Sequence, residues 1–416
     1  AITLDPNGGA VLAGVTTIST ARITTGITTS IQVGGGVTIS ESGIEASGIG
    51  ITCANINGAQ IGGRRNIVIN GAMNVAQRGT STTTSGGFCV DRFQCFHGGT
   101  DEAPTFAQVD VASGTTPYTL GFRKSLKVTN GNQTNNAGSG DYVWFQNKYE
   151  AQDIANSGWN YISASSYITL SFWVKSSVEQ NFYGYVETLD SPAYIYPIET
   201  GTLTADTWTK VTKTIPGNSN LVFDNNSDTG LNINLLPFIG TDFTASGVSL
   251  NTWAAYASGT RMPDNTVTWY ETDNATFEFT GVQLEVGTQA TPFEHRSFGE
   301  ELQLCRRYYY RESIENTEYF NGLGKADSDG NSIDLNLRFP VRMRITPTAL
   351  EQAGDGTNYL IRGSSTLQCT GVPTYGDATQ ESATVRFTRS SHGVSTNNVA
   401  NCGAWGASFL GFSAEL

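Results

Sequence analysis

Between Phe88 and Phe293 the chain alternates apolar and polar positions in short runs. Residues 167–174 (YITLSFWV) put Ile168, Leu170, Phe172 and Val174 on one face, and residues 208–215 and 275–285 repeat the same period of two. That period is the mark of a strand half buried against a core. Polar turns, PGNSN at 216–220 and DNNSDTG at 224–230, separate the runs. Short alternating strands joined by such turns predict an antiparallel sandwich or jelly roll over 64–296. Runs at 332–339, 383–389 and 407–416 alternate again, which predicts a C-terminal β-sandwich over 312–416 with its own core.

Residues 1–63 follow a different pattern. Single Ile or Val residues (18, 23, 27, 31, 33, 37, 39, 44, 49, 51) sit among Thr, Ser and Gly, and only Asp5, Arg22, Glu41 and Glu45 carry charge. The spacing fits neither a heptad nor a collagen triplet. Isolated β-branched side chains enclose no core within one chain, but they line an axis if three chains wrap together. An intertwined trimeric β-stalk is therefore expected over 1–63, with a flexible Gly/Ser/Thr linker as the plain alternative.

One helix signal interrupts the strands. Ser297 and Glu300 have capping-box spacing, acids occupy the first turn and Arg306 and Arg307 the last. A short connector helix is predicted over 297–311, with Leu302, Cys305 and Tyr309 sharing a face.

Composition narrows the function. Lys and Arg number 24 against 37 Asp and Glu, a net charge of −13, so phosphate backbones find no counter-charge and a nucleic-acid partner is excluded. No run of 18 apolar residues spans a membrane, and the opening AITLDPNGG carries no basic-then-apolar export signal. Six cysteines (53, 89, 95, 305, 369, 402) are too sparse for a disulfide scaffold. They are expected as buried thiols in a chain assembled in a cytoplasm.

Two separated motifs carry a family resemblance. Asn66, Ile69, Asn70 and Gly71 lead to Gln77-Arg78-Gly79 and Asp91-Arg92-Phe93. Far along the chain, Gln283-Leu284-Glu285 and Gly287 precede Ala290-Thr291-Pro292-Phe293-Glu294, Arg296-Ser297 and a Glu301–Tyr309 segment reading ELQLCRRYY. This pairing resembles the opening and closing signatures of a jelly-roll module common in bacteriophage tail fibres, itself similar to carbohydrate-binding modules. Pro340, Met343, Arg344, Pro347 and Thr348 resemble a strand of the domain that often follows it. Ala76 and Phe93 stand where Trp is frequent or commoner, and Arg306 where Gln is usual.

Catalytic chemistry finds little support. His97, His295 and His392 are isolated, and no G-x-S-x-G, H-E-x-x-H or paired C-x-x-C occurs. Cys89, Cys95 and His97 lack a fourth ligand for zinc. Glu278 and Glu285, seven apart on one predicted strand, are expected on opposite faces and roughly 23 Å apart, too far to act as a glycosidase pair. Asp327, Asp329, Asn331 and Asp334 offer alternate oxygens of the kind Ca²⁺ takes, without the distal Glu of an EF-hand; an ordinary Asp/Gly turn is the alternative. No organic cofactor is expected.

Aromatic placement gives the lead to a ligand. Phe182, Tyr183 and Tyr185, then Tyr194 and Tyr196, flank an LDSP turn. Rings standing on a sheet face suit sugar stacking, so Tyr183, Tyr185, Tyr194 and Tyr196 are candidate carbohydrate contacts, with core packing as the competing explanation. The polar stretches Gly354–Asn358, Pro373–Gln380 and Ser390–Asn401 are read as surface loops suited to recognition. Together with the resemblance, this implies a non-enzymatic homotrimeric virion fibre on a phage tail or capsid. Its N-terminus would join other virion proteins and its β-domains would meet a host glycan or receptor. A purely structural virion or head-decoration fibre and a glycan-cleaving tailspike are the alternatives.

Overall fold

The computed structural model describes residues 64–416 except 314–317, 329 and 407, together with five short strands before residue 64. In the unit formed by residues 1–54, Ser30–Val33, Val37–Ser40 and Gly43–Ala46 make an antiparallel meander in which Ile39 lies opposite Ile31 and Ile44. The expected stalk otherwise lies outside the described residues, as does Cys53.

The predicted sandwich is formed by two antiparallel sheets. The six-stranded sheet runs Thr209–Pro216, Tyr167–Ser176, Thr276–Val286, Lys124–Thr129, Thr105–Asp110 and Ser81–Thr82. The seven-stranded sheet runs Ala254–Ala255, Tyr194–Leu203, Gln180–Thr188, Thr229–Ile239, Tyr142–Glu150, Phe93–Gly98 and Gly87–Val90. Inward positions alternate as the sequence pattern requires, so Ile168, Leu170, Phe172 and Val174 meet Phe106, Phe145, Phe182 and Phe277 in one core. Phe145 packs edge-on against Phe106 and Phe279, with ring centroids 5.4 and 4.8 Å apart. Each large side chain so buried contributes roughly 1.5–3 kcal/mol.

The C-terminal β-domain has a second core around Leu335, Val385, Phe387, Tyr359 and Phe412. Its eight-stranded sheet includes Ser332–Arg338 and Ser382–Thr388, as the alternation predicts. Thr374–Ala378 is an edge strand of that sheet where a loop is expected, and Gly356–Asn358 is a capped 3-10 turn.

The connector helix is shorter than predicted. Ser297 caps it, its hydroxyl accepting from the Glu300 N–H at 3.3 Å, but the helix spans only Phe298–Arg306. Tyr309 and Tyr310 begin a strand paired with Ser413 and Phe412. Tyrosine favours strands, and a free sheet edge there outbids one more helical turn. Tyr309 thus leaves the face it was expected to share with Leu302 and Cys305.

The motif residues form the seam between these parts. Asn66 Oδ1 accepts from the Val68 and Leu284 N–H groups, tying the module's opening to its closing strand. Asn70, at a positive φ of 62°, holds Val75 and Asp91 through its amide. Gln77 bridges Asp91 and the Tyr309 carbonyl. The guanidinium carbons of Arg78 and Arg92 lie 3.5 and 3.4 Å from the ring centroids of Tyr309 and Tyr308, and both side chains pair with Glu415. Glu150, fully buried, takes Arg307 on both oxygens and the Tyr308 hydroxyl on one. These residues hold the fold together rather than face a ligand.

Candidate functional site

The outward face of the seven-stranded sheet is where polar groups and rings converge. Along Tyr142–Glu150, Val143, Phe145 and Tyr149 point into the core, which leaves Tyr142, Trp144, Gln146 and Lys148 outside. Pairing registers align Gln94, Gln146, Asn234, Tyr185 and Pro197 in one row across five strands. A second row holds Lys148, Asn232, Glu187 and Ile195. Gln146 donates to Asn234 Oδ1 at 3.0 Å, and Asn232 donates to Glu187 at 3.4 Å.

Rings flank the amides. Tyr142 stacks on Trp144 at 4.6 Å and Phe96 lies 5.6 Å from it. Arg261 covers the Trp144, Phe243 and Tyr256 rings at 5.7, 4.9 and 5.7 Å. Among the described residues four polar atoms on this face have no partner: Asn232 Oδ1, Asn234 Nδ2, Trp144 Nε1 and Arg261 Nε. Asn234 and Asn232 are 0% and 3% exposed, so these groups sit where an unmade hydrogen bond costs about 1–3 kcal/mol each. Burial pushes the Tyr185 hydroxyl and the Glu187 carboxyl above their ordinary ranges. The Asn232 hydrogen bond to Glu187 opposes that rise.

The structure divides the four candidate tyrosines. Tyr183 and Tyr185 stand on this face, Tyr185 with only 3% exposure. Tyr196 points the other way, into the sandwich core, where its ring meets Trp253 at 5.2 Å. Tyr194 has the same parity and packs against that core. The two-residue period of the hairpin separates the pairs, so Tyr194 and Tyr196 serve packing. Trp144, Gln146, Asn232 and Asn234 belong to the face and were not singled out from the sequence. The signal for them was LNINLL, in which alternate asparagines punctuate an otherwise apolar strand.

The other candidates resolve differently. Both Asp334 oxygens accept from Arg386, at 2.7 and 2.8 Å, and Asp327 lies 3.6 Å from the same guanidinium. An arginine thus stands where a cation would; Asp329 lies outside the described residues. Among the described residues no group of three or more His, Cys, Asp or Glu is placed to hold a metal. Cys89 and Cys95 are buried in the core, where burial raises the Cys95 thiol well above its ordinary range, and the His97 ring is held by Thr100 and Thr83.

Glu278 and Glu285 share one face instead of opposing each other. A bulge at Gly281, with φ of 66°, inserts a residue opposite Phe172 and reverses the parity between them. Each carboxylate is engaged separately: Glu278 by Lys175 at 2.9 Å and Ser125 at 2.6 Å, Glu285 by Gln283 and by the backbone and hydroxyl of Thr291. They brace the sheet.

A cavity of about 630 Å³ lies between the helix and the opening segment, lined by Arg64, Arg65, Arg296, Arg307 and Arg342. Each of these guanidinium groups is committed to an internal acceptor, namely Glu300, Thr291, Glu301, Glu150 and Gln380.

No family model and no curated protein matches the chain. Several solved structures do. The enzymatically active domain of tailspike protein 4 of bacteriophage CBA120 is similar over 53% of this chain and 21% of its own, at 12% identity and a TM-score of 0.28. This chain therefore spans about a fifth of that domain's length. The N-terminal cellulose-binding domain of Cellulomonas fimi β-1,4-glucanase C is similar over 52% of this chain and 99% of its own, at 14% identity and a TM-score of 0.24. A family 11 carbohydrate-binding module of Clostridium thermocellum, solved with a mixed-linked tetrasaccharide, is similar over 52% and 98%, at 11% identity and a TM-score of 0.23.

Proposed function

We propose that this chain is a non-enzymatic phage virion fibre that attaches to a host surface glycan through the outward face of its seven-stranded sheet. The observation that carries the reading is the row Gln94, Gln146, Asn234 and Tyr185, flanked by Trp144 and Tyr183, with amide atoms left unpaired. Sugar rings offer an apolar face to aromatic side chains and a rim of hydroxyls to amides. An amide that finds no protein partner is a group such a rim would satisfy. The phage placement rests on the paired motifs at 65–93 and 283–309. Assembly as a homotrimer, with the N-terminus on the virion, follows from the Ile/Val pattern of 1–63 and would multiply weak sugar contacts.

The test is a glycan array probed with the full chain, repeated with Trp144→Ala and Asn234→Leu. The reading expects retention of host surface polysaccharide by the wild type, loss in both variants, and no release of reducing ends. Cleavage of the polysaccharide would establish the tailspike alternative. A folded chain that binds no glycan and does not compete with phage adsorption would leave a structural fibre.

A further inference from the structure

The opposite sheet carries a second groove with different chemistry. On the outward face of the six-stranded sheet, a groove of about 390 Å³ opens beside the Gly281 bulge. Residues 290–295 fold back over the strand and supply one wall. Phe293 and His295 pack on Phe122 at 4.9 and 5.1 Å, and His295 Nε2–H donates to the Leu120 carbonyl at 2.8 Å. Trp173, half buried, forms the facing wall beside Ser171 and Lys210.

The volume lies within the range of small-ligand pockets, roughly 300–1,000 Å³. Its polar groups are few: Thr291 and His295 are held by Glu285 and the Leu120 carbonyl, which leaves Ser171 and Lys210. The Ser171 hydroxyl makes no hydrogen bond and Lys210 no ion pair among the described residues, although Ser171 itself is 3% exposed. No carboxylate lines the groove. Lys210 lies directly opposite Trp173 in the pairing of their strands, which sets its ammonium beside the indole.

We infer that this groove binds an acidic sugar residue, a carboxylate-bearing pyranose, stacked on Trp173 with its carboxylate on Lys210 and a hydroxyl on Ser171. Charge complementarity selects the acid, because Lys210 is the lining's ammonium and nothing in the lining opposes it. The site stands apart from the amide-rich face of the other sheet, so the two succeed or fail independently.

The experiment is isothermal titration of the full chain with digalacturonate and with its dimethyl ester, which keeps the rings and removes the charge. The acid should bind at least about tenfold more tightly than the ester, the value of one charge-assisted hydrogen bond. Lys210→Glu, an exposed change that leaves the core untouched, should remove that difference, and Trp173→Ala should weaken both ligands. Equal binding of acid and ester, or binding unaltered by Lys210→Glu, would overturn the inference, as would no binding at millimolar ligand.

Discussion

Asn234 accepts a hydrogen bond from Gln146 at 3.0 Å through its Oδ1, while its Nδ2, equally buried, has no partner among the described residues. A side chain half satisfied in this way weakens the fold and is suited to a ligand. Asn234→Leu should therefore stabilise the chain or leave it unchanged, because the orphan donor goes and only the half-buried Gln146 loses an acceptor. The expected gain is about 1 kcal/mol, a rise of a few degrees in Tm. The same variant should lose glycan binding. Scanning calorimetry beside the glycan array checks both, and a clear fall in Tm would assign Asn234 to structure alone.

Gly281 is fixed by geometry. Its φ of 66° disfavours any side chain, and a Cβ there would lie 2.6 Å from the Phe122 ring. Gly281→Ala should cost roughly 2–4 kcal/mol, from left-handed strain plus overpacking. Urea unfolding measures it. Phe122→Leu should recover part of the loss, since it removes the obstructing ring while the strain remains.

How much of this was legible in the sequence depends on which interaction decided each element. Strands with clean alternation, such as Tyr167–Ser176, were readable because burial on one face dictates period two. The bulge was not. A single glycine within an alternating run leaves parity open, and the error moved Glu285 to the wrong face. The helix start was written by Ser297, but its end was set by pairing of Tyr309 with Ser413, more than a hundred residues away. Of the four candidate tyrosines, parity separated two from two, yet sequence alone could not say which pair faced outward. The motif residues were visible and their role was not, because their partners (Glu415, Tyr309, Glu150) lie far from them along the chain.

Asp91 should make stability depend on pH in an unusual direction. Burial raises its carboxyl from 3.8 to about 6, against the pull of the Gln77 hydrogen bonds. The folded state thus holds this proton more tightly than the unfolded chain. Its stabilising contribution is complete below the unfolded value near 3.8 and is lost as pH rises through about 6. Asp91→Asn removes the titration. Relative to wild type, the variant should gain about 2–3 kcal/mol between pH 4 and pH 7, at 1.36 kcal/mol per unit. Asp153, which burial also raises to about 6, is present in both proteins and cancels. Urea midpoints at pH 4, 5 and 7 test this, and a constant difference would refute it.

The seam should make the two β-domains unfold as one. Glu150 lies on the jelly-roll strand Tyr142–Glu150, while Arg307 and Tyr308 precede the first strand of the C-terminal domain. Burial alone would raise the Glu150 carboxyl, but hydrogen bonds from Arg307 and Tyr308 win, and it is held below its ordinary range. Arg344 adds a link, donating at 2.9 Å to the Ser227 carbonyl of the jelly roll and at 2.8 Å to the Ala414 carbonyl beyond it. Glu150→Ala removes the acceptor and leaves the Arg307 guanidinium and the Tyr308 hydroxyl without it. Breaking one partner of a buried pair costs roughly 3–5 kcal/mol, and Arg307, one-third exposed, recovers part of that in water. The loss falls on the contact between the domains and leaves both cores intact. Calorimetry of the wild type should show one transition for 64–416, and Glu150→Ala should split it into two. Glu150→Gln keeps an acceptor for one donor and should fall between them. A single transition at unchanged Tm in Glu150→Ala would show that the rings stacked under Arg78 and Arg92, not the buried carboxylate, join the domains.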